Sequence, residues 1–535
     1  MIKRILLGVG LLYASTGVFA QHVTAPCGTD EYNKELKALY PQIEANENKF
    51  KADWETYKKS EAFRQVESKK VQKAGAPKYI IPVVVHIFYG SKNGSENISD
   101  AQVQSEINFL NKSFRNLNSD TANRRAGIFN GMPFDFKQLA GDAEIEFRLA
   151  RKDPNGNCTN GIVRVQSSMY NSGNDNLKKT SVWDTKRYFN IWVVKTINRG
   201  PGLAVAGYAQ FPAGGGAWSA LTDGIMVINN EFGNIGTSSP GQTPNVTTTT
   251  HETGHWLGLY HPFQATDSCE MQNDGVDDTP PTYFAPSNTE PLRNRCNFPE
   301  FNTCSNDRYD TLKWDRPDMQ ENFMDYFIGN CASNMFTKQQ IARMHFSIEN
   351  YRSKLVSYQN LVETGVLDPV TACAPTPAFG LLMSGNPSYE RQLCIGTTVN
   401  FNDLSYNGTP TSWAWDFGEG ATPQTSNIQN PTNISYTTPG YKTITLTVTN
   451  ANGSNTKTFT NAILVNQSTP INYHAFTPDY PELKDGWEFI GDETANWDYT
   501  ELGAYSGYKG LILRGKGPSS NMYGKEFILI SPPYD

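Results

Sequence analysis

Apolar residues in the first half of the chain follow patterns that predict strands and helices. An unbroken, largely β-branched run at residues 79–88 is typical of a strand buried on both faces. A helix is predicted to begin at Ser99, with Gln102 three residues on, and its apolar stripe is Val103, Ile107, Leu110 and Phe114. Further strands are predicted at 144–149, 188–194 and 224–229, and further helices at 247–257 and 337–353. The pattern indicates a twisted mixed sheet with helices, which gives way after Gly258 to an irregular half.

The pattern changes near residues 368–377, where Pro, Ala and Thr indicate a linker. Beyond it, threonines alternate with Ile444, Leu446 and Val448, as in a half-buried strand. With SWAWDFG at 412–418 and NPT at 430–432, this region resembles a PKD domain, an immunoglobulin-like sandwich. Residues 468–535 resemble the start of a β-rich, jelly-roll-type domain. Because they contain too few strands to close such a fold, we expect the sequence to be incomplete there.

Three of the chain's seven histidines fall in one stretch, HETGHWLGLYH. His251 and His255 are four residues apart, so on a helix they share one face and can hold one metal ion. Glu252 lies within reach of a water on that metal, and Gly258 lets the chain leave the helix and bring in His261. Three protein ligands and one open position are the coordination of a catalytic zinc ion. The alternative is a chance histidine pair, but chance rarely adds a glycine and a third histidine at these offsets.

This stretch resembles the signature of the metzincin metalloproteases, which is followed by a Met-turn. The downstream sequence ENFMDY at 321–326 matches the Met-turn of this signature. The resemblance implies that Met324 forms an apolar floor beneath the zinc ligands. It also implies that Tyr326 points its hydroxyl towards the metal, where it would stabilise an oxyanion. FMDY, with GYAQFP at 207–212 and DDTP at 277–280, narrows the resemblance to the pappalysin family and its ulilysin-like secreted members.

The resemblance extends over about residues 78–363 and implies a fold class. We expect an α+β metzincin catalytic domain at 78–366, with a twisted mixed sheet, an active-site helix and an irregular C-terminal subdomain. All-β sandwich domains follow, with the PKD domain at 375–467 and the incomplete domain at 468–535. In metzincins the strand before the zinc helix, here 224–229, forms the upper rim of the cleft. A substrate can add to such an edge through backbone hydrogen bonds.

Eight cysteines fit an oxidising compartment. Four of them, Cys269, Cys296, Cys304 and Cys331, bracket the segment between the zinc helix and the Met-turn, and sequence alone allows three pairings for these four. The ulilysin-like resemblance implies the disulfides Cys269–Cys304 and Cys296–Cys331. Cys373 and Cys394 are expected to pair at the start of the PKD domain, which leaves Cys27 and Cys158.

An acidic loop at residues 274–279 lies beside these cysteines. Oxygen-rich loops hold calcium, and the family resemblance supports a structural Ca²⁺ ion bound by Asp274, Thr279 and the Val276 carbonyl. The alternative is a solvated acidic turn, since the spacing differs from that of an EF-hand.

The N-terminus has the pattern of a secretory signal peptide at residues 1–20. Lys3 and Arg4 precede an apolar run, and VFA at 18–20 indicates a cleavage site before Gln21. The run is too short to span a bilayer, and no later segment is apolar over the required length. We therefore expect a secreted, extracellular protein without a membrane span.

Residues 21–77 are polar, follow a largely helical pattern and are interpreted as a pro-segment. Cys27 near its start would supply a thiolate for the open zinc position, which resembles the cysteine-switch latency of some metzincins. Asp30 is a second candidate, because a carboxylate can do the same. The alternative for Cys27 is a disulfide with Cys158.

These features favour a secreted zinc-dependent endopeptidase made as a zymogen, in which Glu252 is the general base and proteins or peptides are substrates. The net charge of -7 argues against nucleic acid. The alternative is a secreted adhesion or glycan-binding protein with a vestigial metal domain. A vestigial site would not be expected to keep Glu252, three histidines and Met324. We expect any contacts with surfaces or glycans to be made by the tail domains.

Overall fold

The structure is a computed structural model. It describes residues 24–68, 75–197, 204–212, 219–238, 247–264, 274–282, 302–304, 315–325, 333–383, 386–388, 391–467, 488–490, 496–500, 510–514 and 528–530. The predicted signal peptide lies outside these residues. Within the described ranges, no helix has the length and apolar character needed to cross a membrane.

The first two-thirds of the chain combines one large mixed sheet and a separate two-stranded hairpin with helices. The strands are β1 Thr24–Cys27, β2 Tyr79–Tyr89, β3 Ala126–Phe129, β4 Met132–Asp135, β5 Ile145–Leu149, β6 Ile162–Gln166, β7 Phe189–Val194, β8 Ala204–Ala209 and β9 Gly224–Ile228. The helices are α1 Thr29–Leu39, α2 Gln42–Tyr57, α3 Glu61–Ser68, α4 Asp100–Phe114, α5 Phe136–Leu139, α6 Asp175–Thr180, α7 Ser219–Thr222, α8 Thr248–Trp256, α9 Lys338–Tyr351 and α10 Tyr358–Glu363. The main sheet has the order β1-β8-β9-β7-β2-β5, and β6 also pairs with β2. Only β8 and β9 are antiparallel neighbours in it, so the sheet is mixed as predicted.

The central strand β2 is buried on both faces. Val83 and Val85 pack into the core beneath α4 and α8, whereas Val84 and Phe88 enter separate apolar clusters on the opposite face. Alternate side chains of a strand point to opposite faces, so both faces must be covered for the whole run to be apolar. The unbroken apolar pattern is explained by this position.

Helix α4 begins as predicted. The Ser99 hydroxyl accepts a hydrogen bond from the Gln102 amide at 3.1 Å and caps the first turn. The predicted stripe of Val103, Ile107, Leu110 and Phe114 is buried against the sheet.

The rim strand differs from the prediction. The strand at residues 224–229 was expected at the cleft edge, but β9 lies inside the sheet between β7 and β8. Strand β8, which follows β7 in the chain, turns back antiparallel to β9 and takes the outer position. The pro-segment strand β1 then pairs with β8 in parallel, with Cys27 opposite Gly207.

The predicted pro-segment packs through its helices against the core of the main sheet. Phe50 and Trp54 of α2 and Phe63 of α3 belong to the same apolar cluster as the catalytic sheet and α9. The ring of Phe50 lies 5.2 Å from that of Phe346 on α9. This segment is therefore part of the same folded unit as the sheet.

The region after the linker is a two-sheet sandwich. Its strands are β10 Phe379–Met383, β11 Asn386–Ser388, β12 Gln392–Cys394, β13 Asn400–Asp403, β14 Ser412–Asp416, β15 Ala421–Thr422, β16 Thr425–Ser426, β17 Ser435–Tyr436, β18 Gly440–Asn450 and β19 Gly453–Asn466. One sheet has the order β11-β10-β13 and the other β12-β19-β18-β14-β16. Ile444, Leu446 and Val448 point into the core between them, which confirms the predicted alternation. Further on, the described strands are β20 Glu488–Ile490, β21 Asn496–Thr500, β22 Gly510–Arg514 and β23 Ile528–Ile530.

The predicted disulfide Cys373–Cys394 is wrong. Cys373 is bonded to Cys158, so the bridge joins the catalytic region to the linker before the sandwich, and the alternative pairing of Cys27 with Cys158 is excluded. Cys394 is free and exposed at the end of the edge strand β12. The prediction paired Cys373 with Cys394 because these two residues are close in sequence. In the fold, Asn407 of the sandwich donates to the Cys158 carbonyl and accepts from the Asn160 amide, so the sandwich is also joined to the catalytic region near this bridge.

This disulfide assignment predicts a labelling pattern. In the folded chain, iodoacetamide should modify the exposed Cys394 but not Cys27, whose thiol is buried, and peptide mapping without reductant should recover Cys158 linked to Cys373. Unfolding without reductant should add Cys27 to the labelled residues, which serves as the control. A peptide containing Cys373 linked to Cys394 would contradict the structure.

Candidate metal centre

The zinc helix predicted from the sequence is α8, and it is buried throughout its last two turns. After its C-cap the chain turns at Gly258, whose φ is +94°, a conformation that side chains resist. The Leu259 amide donates to the Gly254 carbonyl at 2.9 Å across this turn. The turn brings His261 back to the face that carries His251 and His255.

The three imidazoles converge on one point. Nε2 of His255 lies 3.1 Å from Nε2 of His251 and 3.0 Å from Nε2 of His261, and the remaining pair is 3.1 Å apart. The Nδ1 atoms point outward, each to an oxygen atom. Nδ1 of His251 lies 2.7 Å from the Phe323 carbonyl, and Nδ1 of His255 lies 2.8 Å from the Leu259 carbonyl. Nδ1 of His261 lies 2.9 Å from the Asp30 carboxylate. Carbonyl and carboxylate oxygens only accept, so each Nδ1 carries the hydrogen and each Nε2 presents its lone pair.

This donor set fits a metal ion. Three lone pairs facing one another repel unless a cation lies between them, and tetrahedral zinc with Zn–N of ~2.0–2.1 Å would place its nitrogens about 3.3 Å apart. Burial also lowers the pKa of His251 to about 3 and holds the pKa of His255 well below its usual value, so both stay neutral, as ligands must be. The sequence prediction of three histidines sharing one ion agrees with this geometry.

The Cys27 thiol completes the cluster. Its sulfur and one ring nitrogen from each histidine all lie within 4.8 Å of one another. The side chain is buried, and the Thr29 amide donates to the sulfur at 3.3 Å. Burial and the nearby Glu252 raise the pKa of this thiol well above its usual value. A cation in the cluster would act in the opposite direction and favour the thiolate.

Asp30 occupies a different place from Cys27. Its carboxylate accepts a hydrogen bond from His261 Nδ1 and another, at 2.9 Å, from the side-chain Nε2 of Gln264. Asp30 therefore supports His261 on the side of the ring that faces away from the histidine cluster. Burial opposes ionisation of Asp30, but His261 outweighs it and keeps the Asp30 pKa well below its usual value.

Glu252 is fully buried beside the cluster. Its Oε2 accepts a hydrogen bond from the Thr29 hydroxyl at 2.8 Å, and the same hydroxyl accepts from the Ala209 amide at 2.9 Å. Burial raises the Glu252 pKa to about 8, although hydrogen bonds from Thr29 and Cys27 oppose the rise. Thr29 thus ties Glu252 to the rim strand β8, a contact that sequence reasoning missed. The only signal in the sequence was the position of Thr29 between the two latency candidates, Cys27 and Asp30.

The Met-turn lies directly beneath the zinc helix. Met324 is completely buried, and a Cβ built on Gly254 would lie 2.4 Å from the Met324 sulfur. Asn322 Oδ1 accepts from the Met324 amide at 2.9 Å and fixes the turn. The Phe323 carbonyl of this turn is the one that orients His251. Tyr326 lies outside the described residues, so its role stays a prediction.

The acidic loop uses its carboxylates for protein contacts. Asp274 accepts from the Val276 amide at 3.2 Å and from the Thr279 hydroxyl at 2.6 Å. Burial raises the pKa of Asp274 to about 7. Asp278 accepts at the start of α9 from Thr337 and the Gln339 amide. Among the described residues nothing supports the predicted calcium ion, which stays a prediction.

Cys304 is the one member of the predicted pairs Cys269–Cys304 and Cys296–Cys331 that lies within the described residues. It is disulfide-bonded. Cys269, Cys296 and Cys331 lie outside the described ranges, so both pairings stay predictions.

The contact between Gly254 and Met324 gives a test of the Met-turn. Gly254→Ala should lower the free energy of unfolding by about 1–3 kcal/mol, because its methyl group would overlap the Met324 sulfur. Without such a clash, alanine would stabilise the helix by roughly 1 kcal/mol. Urea unfolding should show this loss reduced or reversed when Gly254→Ala is made in a Met324→Ala background. An equal effect in both backgrounds would show that the two residues are not in contact.

Comparisons with known proteins agree with this geometry. The model of a peptidase family described as pregnancy-associated plasma protein-A matches residues 171–349, and a PKD domain model matches residues 387–465. The chain is 26% identical over 279 residues to an extracellular metalloprotease of Arthroderma otae, a match that covers 51% of this chain and 79% of that protein. It is 32% identical over 149 residues to extracellular metalloprotease 1 of Coccidioides posadasii, covering 28% of this chain and 46% of that one.

Two solved structures from Tannerella forsythia are also similar. A mutant of promirolysin is 31% identical, and the match covers 64% of this chain and 100% of that chain with a TM-score of 0.46. Mature mirolysin in complex with a cleaved peptide is 35% identical, with coverage of 55% and 100% and a TM-score of 0.42. The sequence identities, with the family matches, confirm the resemblance predicted from the zinc motif and Met-turn. The chain belongs to the pregnancy-associated plasma protein-A (pappalysin) family of metalloendopeptidases, and it carries a PKD domain.

Proposed function

We propose that this chain is a secreted zinc-dependent endopeptidase made as a zymogen, with proteins or peptides as substrates. The observation that carries the proposal is the convergence of three Nε2 lone pairs beside Glu252, with the Cys27 thiol on the remaining side. Relatives named extracellular metalloproteases support secretion. The predicted signal peptide at residues 1–20 supports it as well.

His251, His255 and His261 would hold the ion. The chemistry that a bound Zn²⁺ supplies is a lowered pKa of its water, to about 7, and polarisation of the scissile carbonyl. The orientation of each imidazole ring is fixed by a hydrogen bond from its Nδ1 atom. The acceptors are the carbonyls of Phe323 and Leu259 and the carboxylate of Asp30. Asp30 belongs to the pro-segment, so the support of His261 changes when that segment leaves.

Glu252 is proposed as the general base. Its carboxylate takes a proton from the attacking water and delivers it to the leaving amine nitrogen. The carboxylate must therefore accept a proton in one step and release it in the next. We further propose that Tyr326 stabilises the oxyanion of the tetrahedral intermediate.

Residues 21–77 are proposed to keep the enzyme latent by three contacts. Strand β1 occupies the edge of β8, where a substrate strand would pair. Cys27 fills the fourth position of the histidine cluster. Thr29 holds the Glu252 carboxylate, so the base is engaged as well as the metal position. Of the two latency candidates, the geometry favours Cys27 as the metal ligand, with Asp30 in a supporting role.

Replacement of the general base gives the first functional test. In the full chain after proteolytic removal of the pro-segment, Glu252→Ala should reduce the rate of casein hydrolysis by about 10²–10⁴-fold, because no other carboxylate would move the proton. Zinc content by atomic absorption should stay near one ion per chain in both proteins. Full activity in the variant would refute the role of Glu252. Zinc-loaded wild type that does not cut casein or a mixed peptide library would refute the endopeptidase proposal.

Latency is tested on the uncut chain. Cys27→Ala, Thr29→Val and Asp30→Asn should each raise casein hydrolysis before processing, by about tenfold where a charge-assisted hydrogen bond is lost and by more for Cys27. Glu31→Ala is the matched control, since Glu31 is exposed on the same helix. Gel electrophoresis should confirm that the segment is still attached. Absence of leakage in all three variants would sink the latency proposal.

A further inference from the structure

The pro-segment makes a second contact with β8, on the face of the sheet opposite the zinc helix. The side chain of Tyr32 on α1 packs into a pocket, called the rim pocket here, formed by Asp175, Lys178, Trp192 and Tyr208. The Tyr32 ring lies 4.7 Å from the Tyr208 ring in an edge-to-face arrangement at 61°. The Tyr32 hydroxyl donates to Asp175 Oδ2 at 2.8 Å.

The rim pocket carries its own fixed charges. Lys178 is completely buried, and its Nζ lies 4.1 Å from the Tyr208 ring centre, 5.1 Å from that of Tyr32 and 5.2 Å from that of Trp192. The same Nζ lies 3.3 Å from Asp175 Oδ1 and donates to the Thr222 carbonyl. A buried ammonium surrounded by aromatic faces is held by cation–π attraction and by its carboxylate partner.

Asp175 is held ionised and oriented towards phenols. Burial opposes its ionisation, but Lys178 and the hydroxyls of Tyr32 and Tyr208 outweigh burial and lower the Asp175 pKa. The Tyr208 hydroxyl donates to Oδ1 at 3.1 Å, while Tyr32 donates to Oδ2. One of these two phenols belongs to the catalytic domain and stays, and the other leaves with the pro-segment.

The rim pocket lies on the face of β8 opposite Glu252, and Tyr32 enters it from helix α1, which follows the paired strand β1. Gly207 of β8 faces the zinc helix, since a Cβ built there would lie 2.9 Å from Glu252 Cγ. Tyr208, the next residue, points to the opposite face and lines the rim pocket. Side chains of a strand alternate between the two faces of a sheet, so a peptide added to the edge of β8 projects some towards Glu252 and others towards the rim pocket.

We propose that the rim pocket is a recognition subsite for a tyrosine side chain of peptide substrates, and that Tyr32 fills this subsite in the latent chain. The inference rests on the proposed zymogen function. A phenylalanine side chain would fit against the aromatic walls. It has no hydroxyl, however, so the partly buried, charged Asp175 carboxylate would lose one of its hydrogen-bond donors. Such a loss weakens binding by about tenfold or more.

The binding test uses a peptide of residues 24–40 with Cys27→Ser, labelled with fluorescein, and a second peptide that also has Tyr32→Phe. Both are titrated against the Glu252→Ala chain after removal of its pro-segment, so catalysis has no part in the readout. The tyrosine peptide should bind about tenfold more tightly by fluorescence anisotropy. The difference should shrink to less than about twofold in Asp175→Asn and persist in Asn176→Ala, an exposed neighbour on α6. Equal affinities on the unaltered rim pocket would overturn the assignment without relying on any variant.

The substrate test uses the active, pro-segment-free chain and a peptide library. Tyrosine should be enriched over phenylalanine at one fixed distance from the cut, through a lower KM, and Asp175→Asn should remove that enrichment. Cleavage without tyrosine preference would overturn substrate recognition and leave the rim pocket as a latency contact alone. Absence of cleavage for all peptides would instead contradict the proposed function, while the binding test still decides whether the rim pocket selects a phenol.

Discussion

Three nitrogen lone pairs that meet at 3.0–3.1 Å are the constraint on which the rest of the site depends. Their mutual repulsion has to be offset, and burial removes the water that would otherwise do so. The protein meets this demand with oxygen acceptors behind each ring, which fix every lone pair inward, and with space for a cation between them. The reversal at Gly258 and the turn at Met324 serve the same geometry, because one delivers His261 and the other the carbonyl that orients His251.

In the proposed zymogen, the edge strand β8 links latency to catalysis. One face of β8 looks towards Glu252 through Gly207, and the other carries Tyr208 into an apolar layer. An unpaired edge attracts any strand that can complete its hydrogen bonds, and in the latent chain β1 does so. A substrate must use the same backbone groups. Any segment that pairs there competes with substrate for the backbone, the metal position and both faces at once.

The sequence predicted the local features well, because they depend on spacing within one element. His251 and His255 on one turn, the Ser99 cap and the stripe from Val103 to Phe114 all follow from helical periodicity. The contacts that it could not predict join distant segments. The order of β8 and β9 depends on a chain reversal at the edge, Cys373 bonds to a residue 215 positions away, and Thr29 meets Glu252 only because β1 docks on β8. Periodicity contains no information about such pairings, since they are set by packing of the whole domain.

In the proposed zymogen, latency depends on covalent connection more than on any single contact. Burial and Glu252 disfavour the Cys27 thiolate, so the thiol is a weak ligand unless a cation compensates. Phe50 and Trp54 hold the segment in the core and so keep the Cys27 thiol at a high effective concentration over the histidines. This strengthens binding of the thiol at the metal position. A cut between α3 and β2 would separate these helices from the catalytic domain in sequence without removing one contact. The whole cut segment, including Phe50 and Trp54, would then be held by non-covalent contacts alone, and a substrate present in excess would displace it.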